Sequence, residues 1–105
     1  MANYAMKIEN NGQAVQFAEC KVEGLTAGVE YKFTYDRKEV KSNAFRIFIN
    51  EVANDNSNPI LELHYSDTEG VFTPSGDTVY IAIGDNDSSS STYCIVDNIF
   101  IVENI

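Results

Sequence analysis

Short segments in which apolar and polar residues alternate recur along the chain, separated by clusters of Gly, Asn, Asp, Ser and Pro. Alternation with a period of two is typical of β-strands, because successive side chains of a strand point to opposite faces. No ten-residue stretch shows the spacing of apolar residues that an amphipathic helix requires. The pattern predicts an all-β protein with strands near Tyr4–Ile8, Val15–Val22, Tyr31–Asp36, Phe45–Asn50, Ile60–Tyr65, Val71–Thr73, Thr78–Ile83 and Thr92–Val102.

Most of these predicted strands have one apolar and one polar face. In the third strand, Tyr31, Phe33 and Tyr35 point to one side, and Lys32 and Thr34 point to the other. Strands with a single apolar face are typical of two antiparallel sheets packed as a sandwich. We expect its core to contain Tyr31, Phe33, Ile47, Ile49, Leu63, Val79, Ile81, Ile99 and Ile101.

The last predicted strand is apolar on both faces. Isoleucines alternate there with Val96, Phe100 and Val102. A strand of this kind must be covered on both sides. We expect a chain end, a loop or another subunit to cover its second face, which predicts a homo-oligomer or a place in a larger assembly.

Length and charge narrow the functional classes. A chain of 105 residues fits a single domain, residues 1–105. It has no apolar run long enough for a transmembrane helix, and its start lacks the form of a signal peptide.

The net charge is −9, and residues 47–105 carry ten acidic residues and no Lys or Arg. We therefore expect neither nucleic acid nor an anionic membrane as a partner. The acidity serves solubility, or it forms a patch for a cation or a basic partner.

Residues suited to catalysis or to zinc binding are few. His64 is the only histidine, and no nucleophile, metalloprotease or phosphate-loop motif is present. Cys20 and Cys94 lack metal-binding spacing. We expect both thiols to be reduced, small, buried side chains, and we expect no enzymatic activity.

Four segments resemble jelly-roll carbohydrate-binding modules and other galactose-binding-like domains. Leu25–Phe33 is similar to their "L-x-A-G-x-x-Y-x-F" segment, and Ile95–Ile101 to their closing "v-D-[DN]-[VI]-x-[LIV]" strand. An earlier strand of these modules is similar to Tyr4–Ile8, and the step before one of their later strands is similar to Phe72-Thr73-Pro74. The four segments occur in the same order as in the family. The resemblance implies a jelly roll and carbohydrate binding. The chain differs in lacking the family's initial "N-G-x-F-E" strand and any tryptophan.

A candidate sugar site lies on the outer face of the strands at 45–50 and 60–65. Arg46, Phe48 and Asn50 share that face with Glu62 and His64. Sugar sites combine a flat apolar surface with a few fixed polar groups. Phe48 is the predicted platform, and Arg46, Asn50 and His64 are the predicted hydrogen-bonding groups. The alternative is that Phe48 packs under a loop or in a subunit contact.

Two more candidate sites surround the Asp- and Ser-rich loop near residue 88. Tyr80 and Tyr93 flank it and form a second candidate platform. Asp85, Asp87 and Asp97 are candidate ligands for Ca²⁺, which prefers carboxylate and carbonyl oxygens. The resemblance supports Asp97, because the matching aspartate of these modules often helps to hold a structural calcium.

Two functional classes remain open. The first is a non-catalytic carbohydrate-binding module that tethers a larger protein or particle to a glycan. The second is a structural jelly roll, such as a phage tail, baseplate or virion component. Both favour a location outside the cell or on a virion surface.

Overall fold

The computed structural model describes residues 5–9, 16–40, 45–85 and 93–105, and their side chains at 17–36, 45–84 and 96–105. No helix in these parts of the chain is long and apolar enough to cross a membrane. They form the eight strands β1 (Ala5–Glu9), β2 (Gln16–Val22), β3 (Tyr31–Val40), β4 (Phe45–Asn50), β5 (Leu61–Leu63), β6 (Glu69–Phe72), β7 (Val79–Asp85) and β8 (Tyr93–Glu103).

The strands form two four-stranded antiparallel sheets packed as a sandwich. We call β2-β7-β4-β5 the front sheet and β1-β8-β3-β6 the back sheet. This strand order is that of a jelly roll, in which consecutive strands alternate between the sheets except for the hairpin of β4 and β5. The predicted all-β fold with two antiparallel sheets is confirmed.

The core lies between the inner faces of the two sheets. Seven of the nine expected side chains are buried in it: Tyr31, Phe33, Ile47, Ile49, Leu63, Val79 and Ile81. Ile99 and Ile101 are only half-buried, although they pack against the same cluster. The alternation of apolar residues was therefore sufficient to predict the inner face of most strands.

A β-bulge interrupts β8 at Asn98. Asp97 pairs with Asp36 of β3, and Phe100 pairs with Thr34, so that two residues of β8 oppose one of β3. Asn98 has a φ of 49°, in the left-handed region that asparagine tolerates better than most residues. Its side-chain amide donates a hydrogen bond to Asp36 Oδ2 at 2.7 Å.

The bulge changes which side chains of β8 enter the core. Val96 is fully buried in the core cluster, and the half-buried Ile99 and Ile101 pack against that cluster. The expectation that Val96 lies on the outer face with Phe100 and Val102 is wrong, because the extra residue reverses the alternation. Phe100 and Val102 do lie on the outer face, with 37% and 53% of their surface exposed.

The sandwich is open along the side where β2 faces β8. In the described part of the chain, β1 pairs with β8 from Tyr93 to Asp97. The residues of β8 after Asp97 pair with β3. The groove there has a volume of about 360 Å³ and is lined by Ala18, Glu19, Cys20, Val22, Ile81, Ile83, Ile99 and Ile101. Cys20 is a free thiol and is exposed, not buried as expected. The incomplete cover over this groove explains the partial exposure of the two isoleucines of β8.

Candidate functional site

The outer face of the front sheet carries most of the predicted sugar ligands. The register places Phe48 of β4 between Glu62 of β5 and Ala82 of β7. It also places Asn50 beside Tyr80. The predicted alternation of β4 and the β4–β5 pairing are therefore present in the structure.

The centre of this face is a pair of phenylalanine rings. Phe17 of β2 and Phe48 of β4 have ring centroids 5.4 Å apart and planes inclined at 49°. The rings meet across β7, whose intervening residues are Ala82 and Gly84. Because these two residues have almost no side chain, rings from non-adjacent strands reach each other.

Phe48 is not the exposed platform that the sequence suggested. Only 9% of its surface is exposed, while Phe17 is half-buried. The pairing with Phe17 is the reason, and it corresponds to the alternative that Phe48 packs under another part of the chain. Sequence reasoning missed Phe17, although the small residues at 82 and 84 of the intervening strand were a usable signal.

Polar side chains flank the ring pair at one end. Arg46 is half-buried, lies in the row of Gly84 and donates from Nη1 to the carbonyl of Phe45 at 2.8 Å. His64 and Glu62 form a hydrogen bond through Nε2 and Oε2, and both side chains remain substantially exposed. These three side chains provide a guanidinium, an imidazole and a carboxylate beside an aromatic surface.

Asn50, expected as an exposed hydrogen-bonding group, is buried with 1% of its surface exposed. The loop 51–58 causes this, because it folds over the end of the outer face. Asn54 N donates to Glu19 Oε1 of β2 at 2.8 Å, and Asn50 Nδ2 donates to Asn56 Oδ1 at 2.6 Å. Asn50 Oδ1 accepts no hydrogen bond from the described part of the chain.

A hollow of about 300 Å³ lies at this end of β4, lined by Asn50, Glu51, Val52, Asp55, Asn58 and Ile60. Two of its carboxylates are held by serines. Ser75 donates to Glu51 Oε2 from Oγ at 2.6 Å and from N at 2.8 Å, and these bonds lower the pKa of Glu51. Ser57 donates to Asp55 Oδ1 from Oγ at 2.5 Å and from N at 3.0 Å, and these bonds lower the pKa of Asp55.

The two tyrosines of the second candidate platform lie on strands of different sheets. Tyr80 is half-buried in the front sheet. Tyr93 begins β8 in the back sheet, where it pairs with Glu9. The side chain of Tyr93 lies outside the described residues, so its role in binding stays a prediction.

The predicted calcium ligands fall largely outside the described part of the chain. The side chain of Asp85 and the whole of Asp87 are not described. Asp97 is half-buried, and its Oδ1 accepts a hydrogen bond from Asn98 N at 2.8 Å. Among the described residues, no cluster of three or more His, Cys, Asp or Glu side chains is placed to hold a metal. Calcium at Asp85, Asp87 and Asp97 stays a prediction.

The outer face of the back sheet is different in character. Lys32 of β3 lies between Val71 of β6 and Val102 of β8, and forms an ion pair with Glu69 at 3.0 Å. Val71 is 45% exposed. Together with Phe100, these residues form an apolar surface crossed by one ion pair.

Comparison with known proteins finds a likeness in fold. The chain matches neither a protein-family model nor a curated protein sequence. A solved structure described as the EclA C-terminal domain, a sugar-binding protein, superposes with a TM-score of 0.55 and 19% sequence identity. The match covers 97% of this chain and 79% of that one. The chain therefore has the β-sandwich fold of a domain that is described as sugar-binding.

Proposed function

We propose that this chain is a non-catalytic carbohydrate-binding domain that tethers a larger protein or particle to a glycan. The ligand lies on the outer face of the front sheet, over the Phe17–Phe48 pair. The observation that carries the proposal is this ring pair with Arg46, His64 and Glu62 beside it.

The ring pair suits the apolar side of a sugar. One face of a pyranose consists largely of C–H groups, and aromatic rings are the side chains that pack on such a surface. Phe17 is half-buried, and its ring contacts the ring of the almost fully buried Phe48. A ring fixed by a second ring loses little conformational freedom when a ligand binds.

The flanking side chains suit the hydroxyl groups. The guanidinium of Arg46 donates hydrogen bonds, the carboxylate of Glu62 accepts them, and the imidazole of His64 does either. Sugar hydroxyls are both donors and acceptors, so a mixed set of this kind orients a saccharide better than a set of one type. The sugar-binding description of the domain that shares the fold adds support to the proposal.

The test is saccharide binding by the isolated domain. We expect binding to members of a glycan array, and Phe17→Ala to weaken it by about 10- to 100-fold, the range for losing an aromatic anchor. Phe100→Ala, which removes a ring from the back sheet, is the matched control and is expected to leave the affinity unchanged. Circular dichroism of both variants shows whether each one is folded. Binding that survives Phe17→Ala in the folded variant contradicts this site, and no binding to any glycan contradicts the function.

A second candidate function is a structural subunit of a larger assembly, and the exposed apolar surface of the back sheet favours it. Phe100, Val102 and Val71 are partly exposed on this one face, and apolar residues exposed together are more typical of a protein contact than single ones. On this account the domain self-associates, and Phe100→Asp converts the assembly into monomers. Sedimentation velocity at high protein concentration distinguishes the two, because a monomeric wild type contradicts self-association through this surface.

A further inference from the structure

We propose that the edge of β2 pairs with the same strand of a second copy of this chain, which joins two front sheets into one antiparallel sheet. A two-fold axis through Cys20 relates the two copies. The contact is made by the edge of the front sheet, and it is separate from the outer faces of both sheets. It goes beyond the proposed function, since the pair forms with or without a saccharide.

The first observation is that β2 lies at the edge of the front sheet. Among the described strands, β7 is the only one that pairs with it, along Gln16–Val22. The three central residues of β2, Glu19, Cys20 and Lys21, are exposed. An edge strand presents a row of backbone N–H and C=O groups to a further strand, and a proline or a bulge commonly prevents such pairing. β2 contains neither of these.

The second observation is the order of charges along β2. In an antiparallel pair of identical edges, side chains of the same face lie opposite one another, so the axis passes through a residue. An axis through Glu19 places Glu19 opposite Glu19, and an axis through Lys21 places Lys21 opposite Lys21. Like charges in these positions destabilise the pair. An axis through Cys20 instead places Glu19 of each copy opposite Lys21 of the other, and such contacts are favourable.

The inner face of β2 fits the same register. Ala18 and Val22 pack against the core and line the open groove together with Cys20. With the axis through Cys20, Ala18 lies opposite Val22 of the second copy, so that apolar side chains meet on this face. Because the groove runs along β2, the pairing also brings the apolar grooves of the two copies together. Apolar burial then adds to the backbone hydrogen bonds of the added strand.

Cys20 allows the register to be measured. Directly opposite residues of antiparallel strands have Cα atoms about 4.5–5.5 Å apart, which lies within the range of about 4.4–6.8 Å that a disulfide spans. The thiol of Cys20 is free and exposed. An added oxidant such as diamide takes up two electrons and two protons from the two thiols of a pair, and the S–S bond forms between them.

The first experiment is sedimentation equilibrium of the full chain in reducing buffer, where we expect a concentration-dependent dimer. Lys21→Glu and Glu19→Lys are each expected to weaken it by about tenfold or more, because each one opposes like charges at two symmetric places. The double variant restores opposite charges and is expected to recover the association of the wild type. Glu103→Lys changes the net charge at an exposed residue of the back sheet and is the control.

The second experiment is oxidation with diamide, followed by the appearance of covalent dimers. We expect the dimers to form in Cys94→Ser and to be absent when Cys20→Ser is added. The rate of random encounters is given by a chain without Cys20 and Cys94 that carries Val52→Cys, since residue 52 is exposed and lies outside the edge. Cys20 is expected to react at least about tenfold faster than this control, because pairing holds the two thiols together.

A wild-type chain that stays monomeric up to millimolar concentration overturns the proposal. So does a double charge variant no stronger than Lys21→Glu, or Cys20 oxidation no faster than that of the control thiol. Glu19→Lys also removes the hydrogen bond from Asn54, and if it unfolds, Lys21→Glu and the oxidation rates still decide. Phe100→Asp is expected to retain the dimer, and a monomer in this variant would assign the association to the back sheet instead.

Discussion

The outer faces of the two sheets treat their apolar residues in opposite ways. On the front sheet, Phe48 and Ala82 are almost completely buried. The ring of Phe17 packs against that of Phe48, and the loop 51–58 folds across the end of the face. On the outer face of the back sheet, Val71, Phe100 and Val102 are partly exposed, and the ion pair of Lys32 with Glu69 lies beside them. The same alternation of residues in the strands thus produced a covered surface and an open one.

The two outer faces suit different kinds of partner. A covered aromatic pair with polar groups at its border presents a small, rigid binding surface, as small-molecule sites do. An open apolar strip with few polar groups is more typical of a protein contact. We therefore propose the front sheet as the surface for a saccharide and the back sheet as the surface for face-to-face self-association, should it occur.

The largest difference in stability is expected between alanine variants of two phenylalanines on opposite outer faces. Phe48→Ala is expected to lower the free energy of unfolding by about 3–5 kcal/mol, because the ring is buried. Phe100→Ala is expected to cost about 1 kcal/mol, because more than a third of that ring is already in solvent. Urea denaturation of both variants measures the difference. Equal losses would show that the two faces are not covered differently.

The next effect tests why the front rings can meet. Ala82→Leu places a larger side chain on β7 between them and is expected to destabilise the domain by about 1–3 kcal/mol. Thr34→Leu, at a half-buried outer position of the back sheet, is the control and is expected to change the stability by less than about 0.5 kcal/mol. Thermal unfolding provides the comparison. If the leucine at position 82 is tolerated as well as the one at 34, the small residues of β7 are not what joins the rings.

A smaller effect concerns the bulge that determines which side chains reach the back face. Asn98→Ala is expected to cost about 1–2 kcal/mol, because alanine is strained at a φ of 49°. Asn98→Gly relieves that strain and loses only the exposed bond to Asp36, so it is expected to be the more stable of the two. Chemical denaturation ranks the pair. Alanine at least as stable as glycine would contradict a left-handed residue at this position.

Much of this architecture could be predicted from the sequence. Period-two alternation identified all eight strands to within a few residues and most of the core, since burial on one face demands that pattern. The shift at Asn98 could not be predicted this way, because a bulge depends on the pairing of β8 with β3. The contact of Phe17 with Phe48 was missed for a related reason, as it joins strands that are not neighbours.

The smallest expected effect is the pH dependence of the loop that covers the front face. Hydrogen bonds from Ser75 lower the pKa of Glu51 below its ordinary value of 4.5. This group therefore stabilises the fold above pH 4.5, and the contribution is lost as the pH falls through its folded pKa. Glu51→Gln should be less stable than the wild type at neutral pH, and the gap should narrow well below pH 4.5. A gap of the same size at both pH values would contradict the role of the ionised carboxylate.

Saccharide binding on the outer face of the front sheet can be located residue by residue. The ¹⁵N-labelled domain is titrated with a glycan that retains it on an array, and the changes in amide chemical shift are mapped. We predict the largest shifts at Phe17, Arg46, Phe48 and Gly84, with little change around Phe100 and Val102. Shifts centred on Phe100 and Val102, or no shifts with any glycan, would contradict the account.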